Sequence, residues 1–124
     1  MREIEFRGKT DGNWCYGSLV NSPSEDQYYI AEHLGDELQY PVEEETIGQF
    51  TGRTDKNGTK IFEDDIVKKN FNGRELKGIV EYKDCAFGVR INDDDSGLFL
   101  CFFNDCEVIG NIHDNPELLE AING

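Results

Sequence analysis

Asp55, Glu63, Asp64 and Asp65 crowd into the stretch IGQFTGRTDKNGTKIFEDDI, residues 47–66. Carboxylates so spaced could bind a hard cation, divide acid and base roles between two groups, or tie down a turn. Calcium makes the strictest demand, because an EF-hand loop needs glycine at its sixth position and a bidentate glutamate at its twelfth. Counted from Asp55, glycine falls at the fourth position and Ile66 at the twelfth, so the spacing excludes that loop. In the run Asp93, Asp94, Asp95, successive side chains of a strand would point to opposite faces and could not converge on one ion. A solvated loop is the reading there. For zinc there is no C-x-x-C pair, and the nearest cysteines, Cys101 and Cys106, bracket a turn. With Cys85 and His113 they could form a four-ligand set, whereas thiols in a β-rich chain also suit a hydrophobic core. For acid-base work the pairs are Glu63 with Asp65 and Asp64 with Glu81, neighbours that arise by chance where 26 of 124 residues are acidic. His33 and His113 stand in no Ser-His-Asp or Cys-His pattern, and no Gly-x-Gly-x-x-Gly or Walker loop offers a phosphate cradle. The expectation is a protein without catalysis and without a cofactor.

What remains for these residues is to shape the chain. Asn57-Gly58 is the dipeptide best suited to a two-residue hairpin turn, because both residues tolerate positive φ. Asp55 is placed to cap that turn, Glu63 and Asp65 to cap the entry to Ile66-Val67, and Gly48 and Gly52 to bend the preceding strand. Elsewhere the two-residue alternation of strands dominates. Ile4 and Phe6, the turn KTDGN and the run WCYGSLV make a first hairpin, with Gly17 marking a bulge or a close backbone approach. QYYIAEHL adds a strand before a looser acidic stretch, LQYPVEEET. After Asp65, the segments KGIVEYK, FGVRIN, GLFLCFF and CEVIGNI follow at close spacing, the pattern of a small, strongly bent barrel. DNPELLEAING predicts a short helix with Asn115 as cap, Pro116 in the first position and Leu118, Leu119 and Ile122 as docking face. The chain is thus expected to be mainly β. It reads as one bipartite domain over 1–124, with a β-rich portion at 1–46 and the hairpin, barrel and helix at 47–124.

Twenty-six acidic against twelve basic side chains give a formal charge of −14, a field that repels phosphate backbones and anionic membranes. Between Lys9 and Arg53 there is no Lys or Arg, while nine Asp and Glu occur, Glu43, Glu44 and Glu45 in succession. Such a stretch is either a solvated surface, an attractor of a basic partner, or a DNA mimic that occupies a host protein's basic groove. Lys68, Lys69, Arg74 and Lys77 form the one basic spot, a weak nucleic-acid candidate that would equally guard a strand edge. In LFLCFF both faces are apolar, so Leu98, Phe99, Cys101 and Phe103 are the candidate self-association surface. The N-terminus has no secretory pattern and no apolar run approaches a membrane span. A cytoplasmic protein with four thiols and a protein partner, a second copy included, is expected, without nucleic acid or membrane.

The strings IGQFTGRTDKNGTKIFEDDIVK, REIEFRG, the W-x-Y-G segment at Trp14, Tyr16 and Gly17, GIVEYKDCAFGVR and EVIGNIHDNPELL together resemble the YopX family of phage and prophage proteins over nearly the whole chain. The resemblance implies an SH3-like small barrel in the C-terminal half, an additional β-rich portion before it and a short C-terminal helix. It implies no reaction and no catalytic residue. Asp64 stands where the family pattern has glycine, which argues against a left-handed backbone there, although aspartate tolerates one better than most residues. The resulting expectation is an accessory protein of a phage or prophage that works through protein contacts. Nucleic-acid association through the barrel and inhibition by DNA mimicry are the alternatives.

Overall fold

In the computed structural model, residues 4–22, 24–32, 38–83, 85–91, 98–99 and 105–123 are described. They form a mainly β protein with two antiparallel sheets and one short helix. The chain divides into two compact units, Met1–Gly52 and Arg53–Gly124.

The first unit contains β1 (Phe6–Thr10), β2 (Asn13–Ser22), β3 (Gln27–Ala31), β4 (Gln39–Val42), a 3-10 turn at Glu44–Thr46, and the start of β5 (Gly48–Thr54). Their order is β4-β3-β2-β1-β5. β1 and β2 form the expected hairpin because Asp11 and Gly12 both adopt positive φ, 50° and 81°, and bring Thr10 opposite Asn13. That register sets Lys9 opposite Trp14 and Arg7 opposite Tyr16. Arg7 Cζ lies 4.6 Å and Lys9 Nζ 5.1 Å from the centre of the Trp14 ring, a cation-aromatic stack made by pairing, with no trace in sequence spacing. The other face carries the core of Cys15, Ile30 and Val42, packed by Phe6, Leu19, Tyr28 and Ile47. The acidic stretch that looked irregular is held to β1: Glu43 N–H donates to Lys9 O at 2.9 Å, and Lys9 N–H donates to Thr46 Oγ1 at 2.9 Å. The sheet therefore curls until the exit of β4 meets β1.

The second unit contains β6 (Lys60–Phe62), β7 (Asp65–Phe71), β8 (Arg74–Lys83), β9 (Ala86–Arg90), β10 (Leu98–Phe99), β11 (Glu107–Asn111) and α1 (Glu117–Asn123). The strand order β10-β9-β8-β7-β11 is a meander whose last strand returns beside its first. Among the described residues no pairing joins β10 to β11, so the expected barrel is an open sheet. Its central strands are covered on both faces, which a barrel wall facing one interior is not. Val67, Val80 and Val89 pack with Ile61 and Cys106 on one side. Ile66 and Ile79 pack on the other with Ile109, Ile112, Leu118 and Leu119.

The helix docks through Leu118 and Leu119 as expected; the side chain of Ile122 lies outside the described residues. Its start differs from the expectation. Asn115 Oδ1 accepts from Asn111 N–H at 3.2 Å, not from the helix, and it is the Asn115 carbonyl that accepts from Leu118 N–H at 3.0 Å. Cys15 and Cys106 are buried, as core-filling thiols should be, but Cys85 is exposed at the β8–β9 turn with φ 65°. Burial pushes the Cys15 and Cys106 thiols above their ordinary range, with Glu32 adding to the shift at Cys15 and Asp55 at Cys106. Among the described residues no helix is long and apolar enough to cross a membrane.

Candidate functional site

Asp55 heads the loop between β5 and β6 and is 8% exposed. Gly58 N–H donates to Asp55 O at 3.0 Å and Asp55 N–H donates to Thr59 O at 2.8 Å. Of Asn57 and Gly58 only Gly58 has positive φ, 83°. The expected two-residue turn is therefore replaced by a longer loop, a turn over residues 55–58 followed by one left-handed glycine. The carboxylate explains the choice, since Oδ1 accepts from Asn57 N–H at 2.8 Å and from Thr59 N–H at 2.9 Å. A shorter turn would leave those bonds unmade. Oδ2 reaches across to β11 and accepts from Val108 N–H at 3.0 Å, while Lys56 N–H donates to Cys106 O at 3.0 Å. Burial opposes ionisation of Asp55, but the three N–H donors from Val108, Thr59 and Asn57, with Lys56 beside them, outweigh it and hold the carboxyl below its ordinary range.

Asp65, 2% exposed, closes the turn before β7 by accepting from Phe62 N–H at 2.8 Å. Within that turn Asp64 has φ 72°, so the left-handed backbone that its side chain argued against is present after all. Asp64 N–H donates to Val80 O at 2.8 Å, Asp64 O accepts from Ile112 N–H at 3.0 Å, and Asp64 Oδ2 lies 3.1 Å from His113 Nε2. These contacts hold the conformation a glycine would adopt freely. Asn111, 9% exposed, accepts through Oδ1 from His113 N–H at 3.0 Å and Asp114 N–H at 2.9 Å. Asp64→Gly should change the unfolding free energy by less than about 1 kcal/mol, because relief of the left-handed strain offsets the lost His113 contact. Asp64→Val should cost about 2 kcal/mol, since a β-branched residue is an outlier at positive φ. Urea midpoints of the two variants against wild type measure both.

Glu63 is half-buried in the turn beside Asp64. Gly52 has φ 88°, whereas Gly48 has no left-handed backbone and is buried, paired opposite Arg7. Of the carboxylate pairs, Glu81 engages Arg90, with Oε1 2.7 Å from Nε, and Asp64 engages His113. Among the described residues no group of three or more His, Cys, Asp or Glu side chains is placed to hold a metal ion, so Cys85, Cys106 and His113 are not brought together. Cys101 lies outside the described residues.

Lys68 and Lys77 face each other across β7 and β8, Lys69 lies opposite Leu76, and Arg74 sits at the hairpin tip opposite Phe71. A groove of about 440 Å³ beside them is lined by both signs, Lys56, Lys68 and Lys69 with Glu75, Asp105 and Glu107. Lys68 Nζ lies 3.4 Å from Glu107 and Lys77 Nζ 3.6 Å from Glu75, so two of the four basic residues are matched by carboxylates. In the first unit a hollow of about 370 Å³ is lined by Asp11, Asp26, Glu43, Glu44 and Glu45 around Tyr28, Pro41 and Val42. Only Lys9 among its lining is basic. The hollow gathers three separated segments, which a reading of local charge runs could not assemble. Of the expected association surface, Leu98 pairs with Val89 and Phe99 with Gly88 at the edge of the sheet. The side chains of Leu98 and Phe99, together with Cys101 and Phe103, lie outside the described residues.

Among solved structures, the crystal structure of protein EF1440 from Enterococcus faecalis is similar to this chain, with 25% identity, a TM-score of 0.58, and coverage of 96% of this chain and 99% of that one. No curated protein matches. The family model described as YopX protein matches residues 5–120, a span that takes in both halves of the Asp55-to-β11 staple, and the chain belongs to the YopX family.

Proposed function

We propose that this protein is a non-catalytic accessory of a phage or prophage that acts in the bacterial cytoplasm by binding another protein. One observation carries the reading: Asp55, Asp65 and Asn111 direct their acceptor oxygens at backbone N–H groups of their own unit. The most specific part of the sequence pattern thus supports a scaffold. The strand order of the second unit, a four-strand meander with a fifth strand returning beside the first, supports an SH3-like kinship.

The contact surface we assign is the acidic hollow of the first unit. Five carboxylates around an aromatic and aliphatic floor suit lysine and arginine side chains of a cationic protein, and a protein that normally holds DNA is one such partner. The paired lysines of the β7–β8 hairpin make nucleic acid itself the weaker choice. Affinity capture from host lysate with wild-type protein and with the Glu43→Gln, Glu44→Gln, Glu45→Gln triple variant tests the assignment. A cationic protein retained by wild type should be lost from the variant and released by added salt. Equal retention by both would overturn the surface, and a partner without cationic character would overturn its chemistry.

A further inference from the structure

The sequence holds three Asn-Gly pairs, at 57–58, 72–73 and 123–124, the last with Gly124 outside the described residues. We propose that Asn72 is a site of spontaneous deamidation, whereas Asn57, in the same dipeptide, is kept in the amide form by the loop that Asp55 organises. In this reaction the glycine backbone nitrogen loses its proton and attacks Cγ of the asparagine. A new N–C bond closes a five-membered imide, the bond to the side-chain nitrogen breaks, and ammonia leaves with the proton. Water then opens the ring at either carbonyl, giving aspartate or isoaspartate, with no change in oxidation state. The rate depends on whether the glycine N–H is free to ionise and to swing toward Cγ.

The two pairs occupy different turn positions. Gly58 is the fourth residue of its turn, and its N–H is the donor that closes the turn on Asp55 O at 3.0 Å. Asn57 is fixed as well, its N–H on Asp55 Oδ1 at 2.8 Å and its Nδ2 3.4 Å from Glu107 Oε2. Asn72 and Gly73 are instead the two central residues of a hairpin loop, with φ 51° and 81°, closed by the pairing of Phe71 with Arg74. In such a loop the closing donor belongs to the residue after the glycine, which leaves Gly73 N–H outside the ladder. Among the described residues the Asn72 carboxamide has no hydrogen-bond partner, and Asn72 and Gly73 are both exposed. The products act differently on the hairpin. Aspartate keeps the left-handed turn and adds a negative charge next to Arg74. Isoaspartate inserts a backbone carbon into a loop whose geometry allows two residues, so the pairings of Phe71 with Arg74 and Asn70 with Glu75 are the first to be lost.

The test is peptide mapping by mass spectrometry during incubation at mildly alkaline pH, with the protein folded and, in parallel, unfolded in urea. In the folded protein Asn57 should convert at least about tenfold more slowly than Asn72, because its loop must open before Gly58 nitrogen can attack. In urea the two should convert at comparable rates. Conversion of Asn57 as fast as Asn72 in the folded protein would overturn the proposal, and so would an Asn57 that stays slow in urea, since its protection would then not come from the fold.

Discussion

Asp55→Ala is expected to lower the unfolding free energy by about 3–5 kcal/mol, the cost of leaving three N–H groups without their acceptor at about 1–3 kcal/mol each, reduced where water can reach them. Those donors are Asn57, Thr59 and Val108, all within 3.0 Å of the carboxylate. Two belong to the loop and one to β11, so the loss falls on the link between segments 53 residues apart. Asp55→Asn should cost less, about 2 kcal/mol, because one oxygen survives while the new amide group turns a donor toward a donor. The same carboxylate sets an acid limit. Its folded pKa is depressed, so its contribution is complete above the unfolded value and disappears as pH falls through the folded one, which places the loss below about pH 4. Urea unfolding at neutral and acid pH should show the gap between wild type and Asp55→Asn narrowing in that window.

Gly17→Ala should destabilise the first unit by about 3 kcal/mol or more, combining backbone strain with overpacking. Gly17 has φ 157°, and a Cβ there would run into the carbonyl oxygen and carbon of Ala31. These are backbone atoms of the neighbouring strand, bonded into the β2–β3 ladder through the adjacent pairing of Ser18 with Ala31, so no rotamer change can make room. Gly12 is the control. It has φ 81° and a Cβ there would meet nothing within 4 Å, so Gly12→Ala should cost only about 1–2 kcal/mol of left-handed strain. Trp14, the one tryptophan, lies in the first unit and reports its unfolding by fluorescence. Equal losses in the two variants would show that the approach of Ala31 is not what requires glycine at position 17.

Local chemistry was readable where one segment decides its own shape. The first hairpin, the β-rich second half, the close approach at Gly17 and the leucine face of the helix all follow from alternation, turn residues and spacing. The Asn57-Gly58 turn departs from the expected two-residue form because the Asp55 carboxylate, expected to cap it, captures both Asn57 and Thr59 and so lengthens the loop. A turn with both residues at positive φ does occur, at Asn72-Gly73. Asn115 was misjudged for a similar reason, since the buried N–H of Asn111 competes for its side chain. The staple from Asp55 to Val108 was beyond reach, because its second half is a backbone amide that no residue type advertises. The acidic hollow and the Arg7-Trp14-Lys9 stack likewise exist only once strands pair.

Native-state hydrogen exchange at the amides that these side chains hold is the most direct measurement of whether the carboxylates and Asn111 serve the fold. Asn57 and Thr59 sit in an exposed loop and Asp114 in an exposed turn, where unbonded amides would exchange near the rate of an open chain, while Phe62 is the buried last residue of β6. Bonded to Asp55, Asp65 and Asn111, all four together with Val108 should be slowed by about a hundredfold or more. Exchange of the loop amides at open-chain rates would contradict it, because Asp55 would then be free to face solvent, an ion or a substrate.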